Sequence, residues 1–148
     1  MAVTEKIMNK VIEVTITDVD LLNRFVKNLG EGKHKFRYLD KRGVEVVKNH
    51  IVTLLLMEDE NPVAYGHLDK VDDFVWLGTA VAENRKRKGY GKVLVEHLLA
   101  EAKKRNIEKI YLSVDKDNLP AIALYQKCGF IKQGDKSSFF IYALNVAQ

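Results

Sequence analysis

The chain has 148 residues, 47% of them hydrophobic and 30% charged, with a formal net charge of +4. That length buries enough surface for one good core, so a single domain over 1–148 is expected, and the composition excludes collagen-like and disordered classes. No apolar run approaches the roughly 18 residues of a membrane helix. The polar stretch Met1 to Lys10 lacks the apolar core of a secretory signal, and the lone Cys128 permits no internal disulfide. A reducing, cytoplasmic setting is the simplest expectation.

The elements follow in chain order. Val11 to Ile16 alternates apolar and polar residues and predicts a strand. Thr17, Asp18 and Asp20 read as a helix start, and Leu21, Leu22, Phe25, Val26 and Leu29 follow at helical spacing until Gly30. Glu31 to Lys35 is a charged loop. Phe36 to His50 is ambiguous, with one or two short helices interrupted near Gly43. Ile51 to Met57, Val63 to Val71 and Phe74 to Val81 predict three meandering strands, with turns at Glu58 to Pro62 and at Asp72-Asp73. Gly89 to Arg105 reads as a helix whose last turn carries Lys103, Lys104 and Arg105, where cations suit its dipole. Ile110 to Val114 is a short strand. Asn118 caps a helix with Pro120 early in it and Gly129 just past its end. Phe130 to Gln133 and Ser138 to Leu144 are the last two strands. The order predicts an α/β (α+β) domain around a mixed central sheet.

The strongest chemical signal lies where the third meander strand ends. The segment Val81-Ala82-Glu83-Asn84-Arg85-Lys86-Arg87-Lys88-Gly89-Tyr90-Gly91-Lys92 is a strand end, a basic loop and a helix start with two glycines. A helix's first turn presents unpaired N–H groups and the positive end of its dipole, and glycine admits a phosphate without a Cβ in the way. The geometry suits a pyrophosphate. Two standard patterns fail. The P-loop would need glycine where Lys86 stands and Ser or Thr where Val93 stands, and the dinucleotide fingerprint would need its third glycine at Leu94.

Downstream, Asn118-Leu119-Pro120-Ala121-Ile122-Ala123-Leu124-Tyr125 leads through Gln126, Lys127 and Cys128 to Gly129-Phe130. Together the two segments resemble the Gcn5-related N-acetyltransferase (GNAT) family. Its cofactor loop reads Gln/Arg-x-x-Gly-x-Gly/Ala, and its later helix often reads Asn-x-x-Ala-x-x-x-Tyr with Gly-Phe soon after. The match covers Val81 to Phe130. It departs at Lys86, which keeps a charge but lacks the planar fork of arginine.

The resemblance implies a mostly antiparallel sheet of about six to seven strands flanked by about four helices, splayed between the strands carrying Val81 and Val114. Acetyl-CoA would be the co-substrate. Its pantetheine arm would pair with Ala80 to Ala82, and its pyrophosphate would meet Arg87, Lys88, Gly89, Tyr90, Gly91 and Lys92. Val81 would offer its N–H to the oxyanion, Glu83 would lie at the cofactor, Asn118 would contact it, and Tyr125 would approach the sulfur as general acid. The acceptor would be an amine of a small molecule or a protein.

The general base is left open among Glu83, His67 and a water chain. The plainer reading of each comes first, Glu83 as a solvated carboxylate and His67 as a packed strand residue, because proximity is not legible in sequence. His34, His50 and His97 lack ligand spacing, so no metal is expected. Cys128 reads as a packed helix-end residue. Phe36 to Arg42 mixes aromatic and basic residues and falls where the family commonly builds its acceptor side. Two rivals remain: a non-catalytic acyl-CoA sensor on the same fold, and a nucleic-acid-binding module using Arg85 to Lys92. The modest net charge and the unexplained second motif disfavour the latter. A homodimer is compatible with the sequence, which carries no interface signature.

Overall fold

A computed structural model of the chain describes residues 9–29 and 43–146. The predicted Gly30 stop, the charged loop Glu31 to Lys35 and the aromatic-basic segment Phe36 to Arg42 lie outside the described residues. The remainder is a seven-stranded sheet: β1 (Asn9–Glu13), β2 (His50–Glu58), β3 (Asn61–Val71), β4 (Phe74–Val81), β5 (Lys109–Asp115), β6 (Ile131–Asp135) and β7 (Phe139–Asn145), in the order β1-β2-β3-β4-β5-β7-β6. Every neighbouring pair is antiparallel except β4 and β5. Three α-helices stand among the described residues: α1 (Val19–Asn28), α2 (Tyr90–Lys104) and α3 (Leu119–Lys127).

The first strand ends earlier than its alternation predicts. Thr15 and Asp18 form a reciprocal capping box that turns the chain at Ile16–Asp18 into a 3-10 turn leading to α1. The segment Val44–Asn49 is also a 3-10 helix. The β2–β3 turn is tighter than predicted. Glu58 pairs with Asn61, leaving Asp59 and Glu60 as a two-residue turn with Asp59 at φ +53. The β3–β4 turn at Asp72-Asp73 has the same form, with Asp72 at φ +55.

Strand alternation divides the core in two. On one face Leu54, Leu56, Ala64, Leu68 and Leu77 pack against Leu94, Leu98 and Ala102 of α2 and Tyr125 of α3. On the other, Leu55, Met57 and Tyr65 pack against Leu22 and Phe25 of α1. The parallel β4–β5 pair needs a crossover, which α2 supplies along the first face.

Candidate active site

The strands β4 and β5 meet at only two register positions, Val75 with Ile110 and Trp76 with Tyr111. Beyond them β4 continues beside β3 to Val81, while β5 continues beside β7 to Asp115. The sheet is therefore split between the carboxyl ends of its two parallel strands, where open α/β sheets place ligands. The N-terminus of α2 begins just after β4, so it sits at the same end as the split.

Backbone direction along β4 assigns its groups. The N–H of Ala82 donates to the Val63 carbonyl (2.8 Å), and the Ala82 carbonyl accepts from the Arg85 N–H (2.9 Å). Because strand groups alternate between edges, the N–H and C=O of Val81 and Thr79 point to the gap. This corrects the expectation for Ala82, whose backbone is already used. Val81 and Thr79 are the residues placed to face a ligand strand.

Tyr125 is brought to the gap by the end of α3. Gly129 at φ +97, with Gly129 N–H on the Gln126 carbonyl and Phe130 N–H on the Tyr125 carbonyl (both 3.0 Å), forms a Schellman termination. Its apolar contact is Phe130 against the Tyr125 ring, edge-on at 5.9 Å between centroids. Tyr125 is 7% exposed, and its hydroxyl is 2.9 Å from the Thr79 hydroxyl on the splayed part of β4. Burial pushes its pKa above the ordinary phenol value, with the Thr79 hydrogen bond opposing. Tyr125 thus keeps its proton at neutral pH and can donate it. Sequence reasoning missed Thr79. Its one signal is a hydroxyl on an otherwise apolar strand end, two residues before Val81.

The loop before α2 is built for close approach. Arg87 (φ +70) and Gly89 (φ +80) take left-handed conformations, and Gly89 heads α2 with no side chain capping it. The first-turn N–H groups of Tyr90, Gly91 and Lys92 have no intrahelical acceptor. Arg87, Lys88 and Gly89 are exposed. A Cβ at Gly91 would lie 3.1 Å from Leu124 Cδ2, so this glycine lets α2 pack against α3. The Tyr90 side chain is a correction: it turns into the core and donates to Glu58 Oε2 (2.5 Å), leaving only its backbone for a ligand.

The remaining expected residues separate. Asn118 caps α3, its Oδ1 accepting from the Ala121 N–H (3.4 Å). Glu83 lies in a 3-10 turn, its side chain 47% exposed and paired with Lys86 at 2.8 Å. Lys92 pairs loosely with Glu96 (3.9 Å). His67 is 4% exposed and lies on the α1 face, opposite Tyr125. Its ring packs over Gly78, hydrogen-bonds the Tyr65 hydroxyl (2.8 Å) and stacks on His50 at 4.4 Å. The structure therefore does not bring Glu83, His67 and Tyr125 together as one cluster. Among the described residues no group of His, Cys, Asp and Glu could hold a metal, and no helix is long and apolar enough to cross a membrane.

Comparison with known proteins matches this arrangement to one family. A sequence model of the Acetyltransferase (GNAT) family matches residues 20–130. The chain is 27% identical over 124 residues to the [ribosomal protein bS18]-alanine N-acetyltransferase of Escherichia coli strain K12, covering 83% of this chain and 81% of that one. It is 34% identical over 94 residues to an N-alpha-acetyltransferase of Saccharolobus solfataricus, covering 60% and 55%. Its fold is similar to that of the PaiA N-acetyltransferase of Thermoplasma acidophilum, solved with coenzyme A, with a TM-score of 0.78 and 18% identity over 93% of this chain and 99% of that one. A family model covering three quarters of the chain and relatives named as N-acetyltransferases place it: the chain belongs to the GNAT acetyltransferase family and is an N-acetyltransferase.

Proposed function

We propose that the chain transfers an acetyl group directly from acetyl-CoA to the α-amino group of a polypeptide N-terminus. The observation that carries this reading is the β4–β5 split, with the Val81 N–H on its edge and the Tyr125 hydroxyl beside it through Thr79. The gap edge of β4 pairs with the pantetheine arm as an added strand would. The first turn of α2, with Arg87, Lys88 and Lys92 around it, holds the pyrophosphate.

The residues then divide the work. The Val81 N–H donates to the thioester oxygen as negative charge develops on it. Tyr125 gives its proton to the leaving sulfur. Among the described residues, neither candidate base stands beside Tyr125: Glu83 is exposed and ion-paired, and His67 is buried on the other face. An α-amine needs the least help. With a pKa near 7.8 it is roughly one-third neutral at pH 7.5, against about 0.1% of a lysine amine. Water at the mouth of the gap suffices to take the proton. One relative is named as a ribosomal-protein bS18 alanine N-acetyltransferase and another as an N-alpha-acetyltransferase, which supports a protein α-amine as acceptor.

The test pairs two peptides, one with a free α-amine and no lysine, the other α-blocked with one lysine. Acetylation of the first, read by mass spectrometry with saturable acetyl-CoA dependence, is expected. Acetylation of the lysine peptide alone would overturn the α-amine reading. Binding of acetyl-CoA with no transfer to any amine would favour an acyl-CoA sensor.

A further inference from the structure

One carboxylate outside the loop touches both ends of it. Glu58, the last residue of β2, is 5% exposed although the sequence places it in a polar turn. Its Oε1 accepts from Arg85 Nε (2.9 Å) and its Oε2 from the Tyr90 hydroxyl (2.5 Å). Arg85 closes the 3-10 turn after β4, and Tyr90 is the first residue of α2. Between them lie Lys86, Arg87, Lys88 and Gly89, two with positive φ.

We propose that Glu58 is a positioning residue for the acetyl-CoA loop, clamping residues 85–90 through Arg85 and Tyr90 so that the first-turn N–H groups of α2 are held ready for the pyrophosphate. The proposal rests on the acetyl-CoA reading above. Its physical basis is direct. A short loop with two left-handed residues has few contacts of its own, and its geometry is set by where its ends are tied. Both ends are tied to one charged group, and charge-assisted bonds are the strong kind. The Glu58 side chain is only 6% exposed, so water has little access to it, although its partner Arg85 is 30% exposed. Tyr90 thereby acts through its side chain on the loop and through its backbone on the ligand.

The experiment compares wild type with Glu58→Gln, Tyr90→Phe and the double variant. Each keeps the shape of the side chain. Hydrogen exchange of the backbone amides at 86–92 is measured in the free protein, and then KM for acetyl-CoA, KM for the acceptor peptide, and kcat. The clamp predicts faster exchange at 86–92 in every variant and a KM for acetyl-CoA raised roughly tenfold, as expected for loss of a bond to a charged group. The acceptor KM and kcat stay near wild type, and the double variant is little worse than either single one. Unchanged exchange at 86–92 overturns the clamp whether or not acetyl-CoA binds. Uniformly faster exchange across the whole sheet, with all kinetic constants falling together, also overturns it and leaves Glu58 a general stability residue. Failure of wild type itself to bind acetyl-CoA, with the exchange pattern as predicted, would overturn the acetyl-CoA reading and leave the clamp standing as a property of the loop.

Discussion

At the scale of single residues, Tyr125 is the group whose chemistry is most constrained. Its ring is fixed by Phe130, and its hydroxyl is fixed by Thr79. Tyr125→Phe removes the proposed proton donor while keeping the packing. It is expected to lower kcat by roughly a hundredfold with acetyl-CoA affinity and melting temperature near wild type. Steady-state kinetics beside calorimetry checks this, and an unchanged kcat would remove Tyr125 from the mechanism. Thr79→Val leaves the hydroxyl present but misdirected and is expected to fall between the two. Because burial raises the Tyr125 pKa above the ordinary phenol value, its ionisation does not cut the rate around neutral pH. A basic limb in the kcat profile near pH 8 that persists in Tyr125→Phe would belong to another group.

Elements carry the second level of constraint. The start of α2 depends on Gly89 adopting φ +80, which a side chain resists although nothing stands in its way. Gly89→Ala is expected to destabilise by about 1 kcal/mol and to weaken acetyl-CoA binding, since the strain falls on the loop. Titration calorimetry and a urea melt together read both effects. Gly91 is different. A Cβ there meets the flexible end of Leu124 at 3.1 Å, so Gly91→Ala is tolerated with a small shift of that side chain. A bulky residue pushes α3 away and carries Tyr125 with it. Gly91→Trp should therefore depress kcat as well as cofactor affinity, a double effect that Gly89→Ala does not show.

The motif residues were legible in the sequence because their roles are local. A helix start with two glycines, an Asn cap and a Gly-Phe termination each act within a few residues of chain. The Schellman end of α3 gives the Gly-Phe pair a physical meaning, since it is what pins the tyrosine. Glu58 was not legible. Its neighbours Asp59 and Glu60 are turn residues, and only the register of β2 against β1 and β3 turns it inward. Ala82 was misread for the same reason, because which edge a strand's N–H faces depends on its partner.

At the scale of the whole molecule, the sheet is a shared wall between two cores. Leu98 of α2 is fully buried, and a Cβ on Gly66 of β3 would lie only 2.9 Å from its Cδ1. Leu98→Ala is expected to cost about 2–5 kcal/mol, a large share of a typical domain stability of about 5–15 kcal/mol. Urea denaturation measures it, and a loss under about 1 kcal/mol would mean that α2 does not hold this face. Glu58 also links stability to pH. The Tyr90 hydrogen bond is the largest influence holding its pKa below the ordinary glutamate value, against the opposing effect of burial and aided by Arg85. A depressed carboxyl stabilises fully above its unfolded pKa and loses that contribution as pH falls through the folded one. Wild type should therefore lose melting temperature below about pH 4.5 more steeply than Glu58→Gln, as thermal melts across pH 3 to 6 will show.

Composition and local pattern by themselves determined the element types, the sheet-and-helix class, the basic glycine loop and the tyrosine helix. Those features follow from periodicity, capping and turn chemistry, which act over a few bonds or one helical turn. Only the tertiary structure decided which strand edge is open, which face each side chain takes and which groups meet. The Thr79–Tyr125 bond, the bonds of Glu58 to Arg85 and Tyr90, and the stacking of His67 on His50 all join residues distant in sequence. Their spacing along the chain says nothing of their separation in space until strand register and helix packing are set.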